Sequence, residues 1–170
     1  ANTPPLLNPI GNRTVHAGGM VSFTATASDA DVPAQTLDFS LLNTPPAGAG
    51  IASGSGLFEW LTTNADVNTT NTITVRVADS GVPVLSTNRS FVVTVIARPQ
   101  ITNLVRTNGV VAVTWSSIAG QQYRLQRTDT LLPTNWQDVG LDVTAPGSFT
   151  TQTNATSGLD VRFYRVRLAP

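Results

Sequence analysis

Few side chains in this sequence could take part in bond-making chemistry. His16 is the single histidine, Glu59 the single glutamate, and there is neither cysteine nor lysine, all ten basic residues being arginine. A cysteine nucleophile, thiolate metal sites, disulfide staples, a lysine Schiff base, a phosphate-loop lysine and a lysine-to-asparagine cross-link are therefore excluded within the chain. A Ser/His/Asp triad would have to use His16, which lies in the turn-like segment VHAGG with no evident acid to orient it. Glu59 sits between Phe58 and Trp60, the outward position of an alternating strand. No GxSxG elbow occurs, and the small-residue run AGAGIASGSG (47–56) has neither the spacing nor the following helix of a phosphate loop. Among the aspartates, a glycosidase-type pair is the one catalytic arrangement left open; Asp29 and Asp31 are read as loop residues instead. No catalytic residue is assigned, and the chain is read as not an enzyme.

The elements that must position these residues are strands. Val21, Phe23 and Ala25 alternate with polar neighbours, as do Leu37, Phe39 and Leu41, Phe58 and Trp60, Ile73, Val75 and Val77, and Phe91, Val93 and Val95. Period-two alternation puts each row on one face of a half-buried strand. Gly18-Gly19, Asp31-Val32-Pro33, Thr44-Pro45-Pro46 and Gly81-Val82-Pro83 interrupt the rows by removing a donor or permitting positive φ. About seven strands are expected in the first 97 residues, and two packed sheets are the economical way to bury them. Proline near Ala97-Arg98-Pro99-Gln100 marks a boundary, and beyond it the pattern restarts. There Asn108-Gly109 predicts a two-residue hairpin turn. Val111, Val113 and Trp115 are expected on one face, with Val110, Ala112 and Thr114 on the other. In the closing RFYRVRL run (162–168), Tyr164, Val166 and Leu168 share one face, and Phe163, Arg165 and Arg167 the opposite, wet one. The chain is thus all-β, with domains at 1–97 and 98–170, the second small enough to have a marginal core.

Composition limits the partners. Apolar residues make up 41% of the chain and charged ones 12%, with a formal net charge of zero. No basic run offers an electrostatic footprint for nucleic acid, and no stretch is long and apolar enough for membrane insertion. A secretory leader is not evident, so a signal is expected to be removed or to lie upstream. The charge divides unevenly: residues 1–97 hold three arginines against six acids, and residues 98–170 seven against four. Contact between copies of the chain, head to tail, is electrostatically favoured.

The segment VRVADSGVPVLS (75–86) resembles the AxDxGxP segment of cadherin repeats, and FTATASDADVPAQTLDFSL (23–41) resembles their Asp-Ala-Asp passage between two strands. Asn2-Thr3-Pro4-Pro5 is similar to the tail of the linker joining successive repeats, and SGSGLFEWLTT points to the cadherin-like and Ig-like repeats of secreted bacterial proteins. The resemblance covers about residues 1–97. It implies that Asn2, Asp29, Asp31 and Asp79 gather at one end of a sandwich, where their oxygens would suit Ca²⁺. A second reading stands beside it, in which these aspartates form Asx turns with no metal and no cofactor is required. The chain departs from the family in having His16, Ala17 and Gly18 where a glutamate is expected, and only Asp66 of an acidic LDRE-like motif.

VTWSSIAGQQYRLQRT (113–128), the NWQDVG stretch and the terminal FYRVRL resemble a short fibronectin type III module. That resemblance covers about 100–170, and places Pro170 at or near a natural C-terminus and Ala1 at a repeat boundary. Trp60 and Trp115 are read as core. Trp136, after Pro133-Thr134-Asn135, is read as core or as an exposed platform for carbohydrate. The sequence thus reads as two tandem Ig-like β-sandwiches, extracellular or at a bacterial cell surface, with a structural or adhesive role. Its expected partners are its own copies or neighbouring repeats, as a stalk or as a fibre in which residues 1–10 or an edge strand pair with the next subunit. The alternative is a carbohydrate-binding appendage of a secreted hydrolase, with surface polysaccharide as partner.

Overall fold

A computed structural model of the chain describes residues 1–133, 135–156 and 161–169. Thr134 of the Pro133-Thr134-Asn135 turn and the terminal Pro170 lie outside the described residues. The described chain is all-β, apart from one short 3₁₀ turn, and divides into two compact units, Ala1–Ala97 and Arg98–Pro170.

The first unit contains β1 (Leu6–Leu7), β2 (Arg13–His16), β3 (Met20–Thr24), β4 (Ala27–Ser28), β5 (Leu37–Leu42), β6 (Gly50–Ile51), β7 (Leu57–Leu61), β8 (Thr69–Asp79) and β9 (Ser86–Ile96). One sheet runs β2-β9-β8-β5 and another β3-β7-β6, while β1 pairs with β4. All pairs are antiparallel except β2 with β9. The opening segment therefore changes partner at Pro9, which has no N–H to continue a ladder: β1 lies on β4, and β2 runs alongside β9. Each alternating row points inward. Val21, Phe39, Phe58, Trp60, Ile73, Val75, Val77, Phe91, Val93 and Val95 are buried, and Glu59 is exposed. At the centre Phe23, Phe58 and Phe91 meet with ring centroids 5.1–5.4 Å apart. Trp60 is fully buried, and its indole N–H donates to the Ala47 carbonyl at 3.2 Å, which offsets the cost of taking a donor out of water. Asn64–Asp66 forms the 3₁₀ turn. Its Asp66 carboxylate accepts from the Thr63 N–H at 2.7 Å, so this remnant of an acidic motif serves as a helix cap.

The second unit contains β10 (Ile101–Thr107), β11 (Val110–Ser116), β12 (Gln122–Thr128), β13 (Gln137–Asp138), β14 (Val143–Thr144), β15 (Phe149–Ala155) and β16 (Phe163–Leu168). One sheet runs β10-β11-β15. In the other, β16 pairs with one edge of β12, and β13 and β14 share its opposite edge. Asn108 and Gly109 both take positive φ, +50° and +75°, forming the primed turn that the twist of β10 and β11 demands. Val111, Val113, Trp115, Tyr123, Leu125, Val139 and Ala145 are buried together, with Tyr164, Val166 and Leu168 half-buried against them. Phe163, expected to be wet, is half-buried; it stands opposite the buried Thr128 across the ladder, whereas Arg165 and Arg167 are exposed.

Candidate functional site

Strand β8 ends on Asp79 because that carboxylate organises the turn that follows. Its Oδ1 accepts from the Gly81 and Leu85 N–H groups, both at 3.0 Å, while the Asp79 N–H donates to the Leu85 carbonyl. The Asn2 amide reaches across from the chain start, donating to Asp79 Oδ2 at 3.0 Å and to the Pro83 carbonyl at 2.8 Å. Burial pushes the Asp79 pKa up, but the Leu85 and Gly81 N–H groups and the Asn2 amide outweigh it, holding the group below the ordinary aspartate value. A Cβ at residue 81 would run into the Asn2 side chain and push its amide away from Asp79 and Pro83.

The Asp29-Ala30-Asp31 loop completes the cluster. Asp29 Oδ1 accepts from the Asp31 N–H at 2.9 Å, an Asx turn, and Asp31 in turn accepts from the Thr3 N–H at 2.7 Å and the Thr3 hydroxyl at 3.0 Å. Gln35 bridges the loops by donating its amide to Asn2 Oδ1 at 2.6 Å and, more weakly, to Asp31 Oδ2 at 3.4 Å. Asp29 Oδ2 and Gln35 Oε1 are buried without a hydrogen-bond partner.

The four residues expected to gather thus do so, but as a hydrogen-bonded clasp. Both oxygens of Asp31 and of Asp79 already accept from N–H or O–H donors, and Asn2 turns its nitrogen toward Asp79. Among the described residues no three acidic or histidine side chains converge as metal ligands. Ca²⁺ needs six to eight inward-pointing oxygens, and N–H donors aimed into the same space oppose a cation, so this arrangement does not fit the ion. Thr3, Gln35 and Gly81 are the clasp members that sequence reasoning missed. The spacing of Gln35 four residues after Asp31 and the glycine two residues after Asp79 were the local signals.

In the second unit the chemistry-bearing residues form a ladder on the outer face of the β12 sheet. Arg124 forks onto Asp142 at 2.6 and 2.7 Å and approaches Asp138 at 3.4 Å. The hydrogen bond from Arg124 holds the Asp142 carboxyl below its usual range. Gln126 donates to Asp138 at 2.6 Å and accepts from Arg165 at 2.9 Å. The guanidinium of Arg165 lies 4.3 Å from the centroid of Trp136, which is half-buried. One face of the ring considered as a sugar platform is therefore covered by a cation. His16, expected in a turn, is the last residue of β2 and half-buried, with Nδ1 buried and unpartnered, so no acid orients the imidazole through that nitrogen.

Two sheets, antiparallel but for the β2–β9 pair, closed over an apolar core with polar loops gathered at one end define an Ig-like β-sandwich. Residues 4–96 match the family described as "Putative Ig domain", and the chain belongs to that family. Comparison with curated proteins returns no match. Among solved structures the chain is similar to protocadherin gamma B2 extracellular cadherin domains 3–6, at 19% identity and TM-score 0.47, covering 62% of this chain and 29% of that one. It is similar to mouse cadherin-23 EC22–24 at 18% identity and TM-score 0.45, covering 99% and 65%. A third is a nucleoside hydrolase-related hypothetical protein from Saccharophagus degradans associated with carbohydrate metabolism, at 21% identity and TM-score 0.46, covering 56% and 26%. The chain spans less than two thirds of each of these structures. An Ig-like sandwich whose polar side chains hold its own loops is consistent with a structural or adhesive module. Among the described residues no helix is long and apolar enough to cross a membrane.

Proposed function

We propose that the chain is a non-catalytic extracellular module, two tandem sandwiches serving as part of a surface stalk in a structural or adhesive role, the second of them fibronectin type III-like. The observation that carries this reading is where the chemistry-bearing side chains go. Asp31 and Asp79 clasp the chain start to two loops, Asp66 caps a turn, and Arg124, Asp138 and Asp142 brace one sheet. Groups engaged in this way stiffen a spacer, their charged atoms being turned to the chain's own donors and acceptors.

The fibre variant is narrowed by the first unit. Residues 1–10 are not a loose donor strand, because Leu7 is fully buried in the unit's own core, and Arg89 Nε donates to the Leu7 carbonyl at 3.0 Å. A fibre would have to be built through strand edges. Size-exclusion chromatography and negative-stain microscopy at high concentration test this: filaments support the fibre, and a strictly monomeric species leaves the stalk reading alone. Retention on a glycan array that Trp136→Ala abolishes would instead establish the carbohydrate-binding appendage and overturn the structural one.

A further inference from the structure

We infer that the first unit pairs with a second copy of the chain through the bare edge of β3, antiparallel and centred on Ser22, so that the β3-β7-β6 sheets of two copies join into one. The Thr62 N–H donates to the Gly19 carbonyl and the Ala25 N–H to that of Gly56, which fixes the parity: Gly19, Val21, Phe23 and Ala25 point their backbone groups at β7. Met20, Ser22 and Thr24 therefore turn theirs the other way, toward an edge that no strand occupies among the described residues. The gap is made inside the chain, not at either of its ends. β1 lies on β4, the Asn8 N–H donates to the Thr26 carbonyl, and at Pro9 the chain leaves for β2, so this ladder stops before it reaches Thr24.

A second copy is selected because the edge is complementary to itself. With Ser22 opposite Ser22 of the second copy, Met20 stands opposite Thr24 and Thr24 opposite Met20. Each of these pairs exchanges two hydrogen bonds, which uses every bare N–H and C=O of the three residues. Val21 and Phe23 alternate with them on the inward side, so the half-buried Phe23 ring comes beside Val21 of the second copy across the junction. On the outer face Met20, 54% exposed, gains Thr24 as a neighbour. No charge meets its like, because the strand MVSFT carries none.

Sheets are kept from pairing with their own copies by charge, brevity or cover at their edges, and the other described edges each have one of these. β2 carries Arg13, β10 Arg106, and β16 both Arg165 and Arg167. β5 carries Asp38, and the Phe39 N–H is already given to the Ser53 carbonyl. Arg162 donates to the Ala155 carbonyl at the outer edge of β15, and β1, β6, β13 and β14 have two residues each. β3 has five residues and none of these guards. Five residues of edge bury far less than the roughly 800 Å² per partner of a standard interface, so the pair is weak, forming at about 0.1–1 mM. Being twofold, it closes on two copies and does not grow. It supplies the structural or adhesive reading with a partner and rests on that reading for its role.

The test uses the 170-residue chain, by sedimentation equilibrium and amide hydrogen exchange from about 10 µM to about 1 mM. The mass should rise toward that of a dimer, and exchange at Met20, Ser22 and Thr24 should slow with it. Ser22→Lys, at an exposed position, sets like charges opposite each other and should leave the chain monomeric, with exchange of the β8 and β9 amides unchanged. The chain has no cysteine, so Ser22→Cys introduces a single thiol, its Cα about 5.5 Å from its mate in the pair and within reach of a disulfide. Glu59→Cys puts a thiol on the same face one strand further in. Mild oxidation should cross-link Ser22→Cys about tenfold faster than Glu59→Cys. A chain that stays monomeric throughout, with no protection of the three amides, overturns the proposal and leaves the structural or adhesive reading standing. Equal cross-linking of the two cysteine variants, a dimer that survives Ser22→Lys, or growth beyond a dimer also overturns it. Retention on a glycan that Trp136→Ala abolishes would end the structural or adhesive reading without touching the pairing.

Discussion

Replacing Leu7 by alanine tests whether the chain start is built into the first unit. Leu7 is fully buried in a two-residue strand, while its neighbour Leu6 is 59% exposed. Removing a buried leucine forfeits transfer energy and leaves a cavity, about 2–5 kcal/mol, against roughly 0.5 kcal/mol or less at an exposed position. A domain of this size unfolds with an entropy near 0.2 kcal/mol/K, so Leu7→Ala should lower Tm by about 10–25 °C, and Leu6→Ala by about 3 °C or less. A single melt would mix the two units, so the measurement is native-state hydrogen exchange at the β8 and β9 amides, which report on the first unit alone. If both variants leave those amides within about 1 kcal/mol of the parent, the opening segment is not part of the core, and residues 1–10 are free to join another chain.

Gly81→Ala should destabilise the first unit by about 1–3 kcal/mol, because its Cβ meets the Asn2 amide. The cost should shrink in an Asn2→Gly background, as a double-mutant cycle in denaturant would show. For Asp79 the sign follows from a folded pKa held below the ordinary aspartate value. Its stabilising contribution is complete above the unfolded value and is lost as pH falls through the folded one, so acid unfolding of the first unit should be shallower in Asp79→Asn, which starts from lower stability at neutral pH. Millimolar Ca²⁺ should leave the melting temperature unchanged; a rise that Asp29→Ala with Asp31→Ala abolishes would show that the clasp rearranges around an ion.

Strand faces were legible residue by residue. Side-chain alternation is a local consequence of the pleat, so Phe58, Trp60, Val75 and Val93 point inward whatever pairs beside them, and Asn108-Gly109 specifies its turn because positive φ is needed at both positions. The short pieces β1, β4 and β6 were not legible, since two residues carry no period. The aspartates at the loop end could be grouped by resemblance, but their role could not be read there. Whether an oxygen faces a cation or an N–H depends on partners brought from far along the chain: Asn2 to Asp79, Thr3 to Asp31. The same holds for Arg165 over Trp136. The amino-acid sequence by itself determined which side chains each strand offers to a core. Only the closed sandwiches decided which loops meet and which donors fill which acceptors, because those follow from long-range closure of the chain.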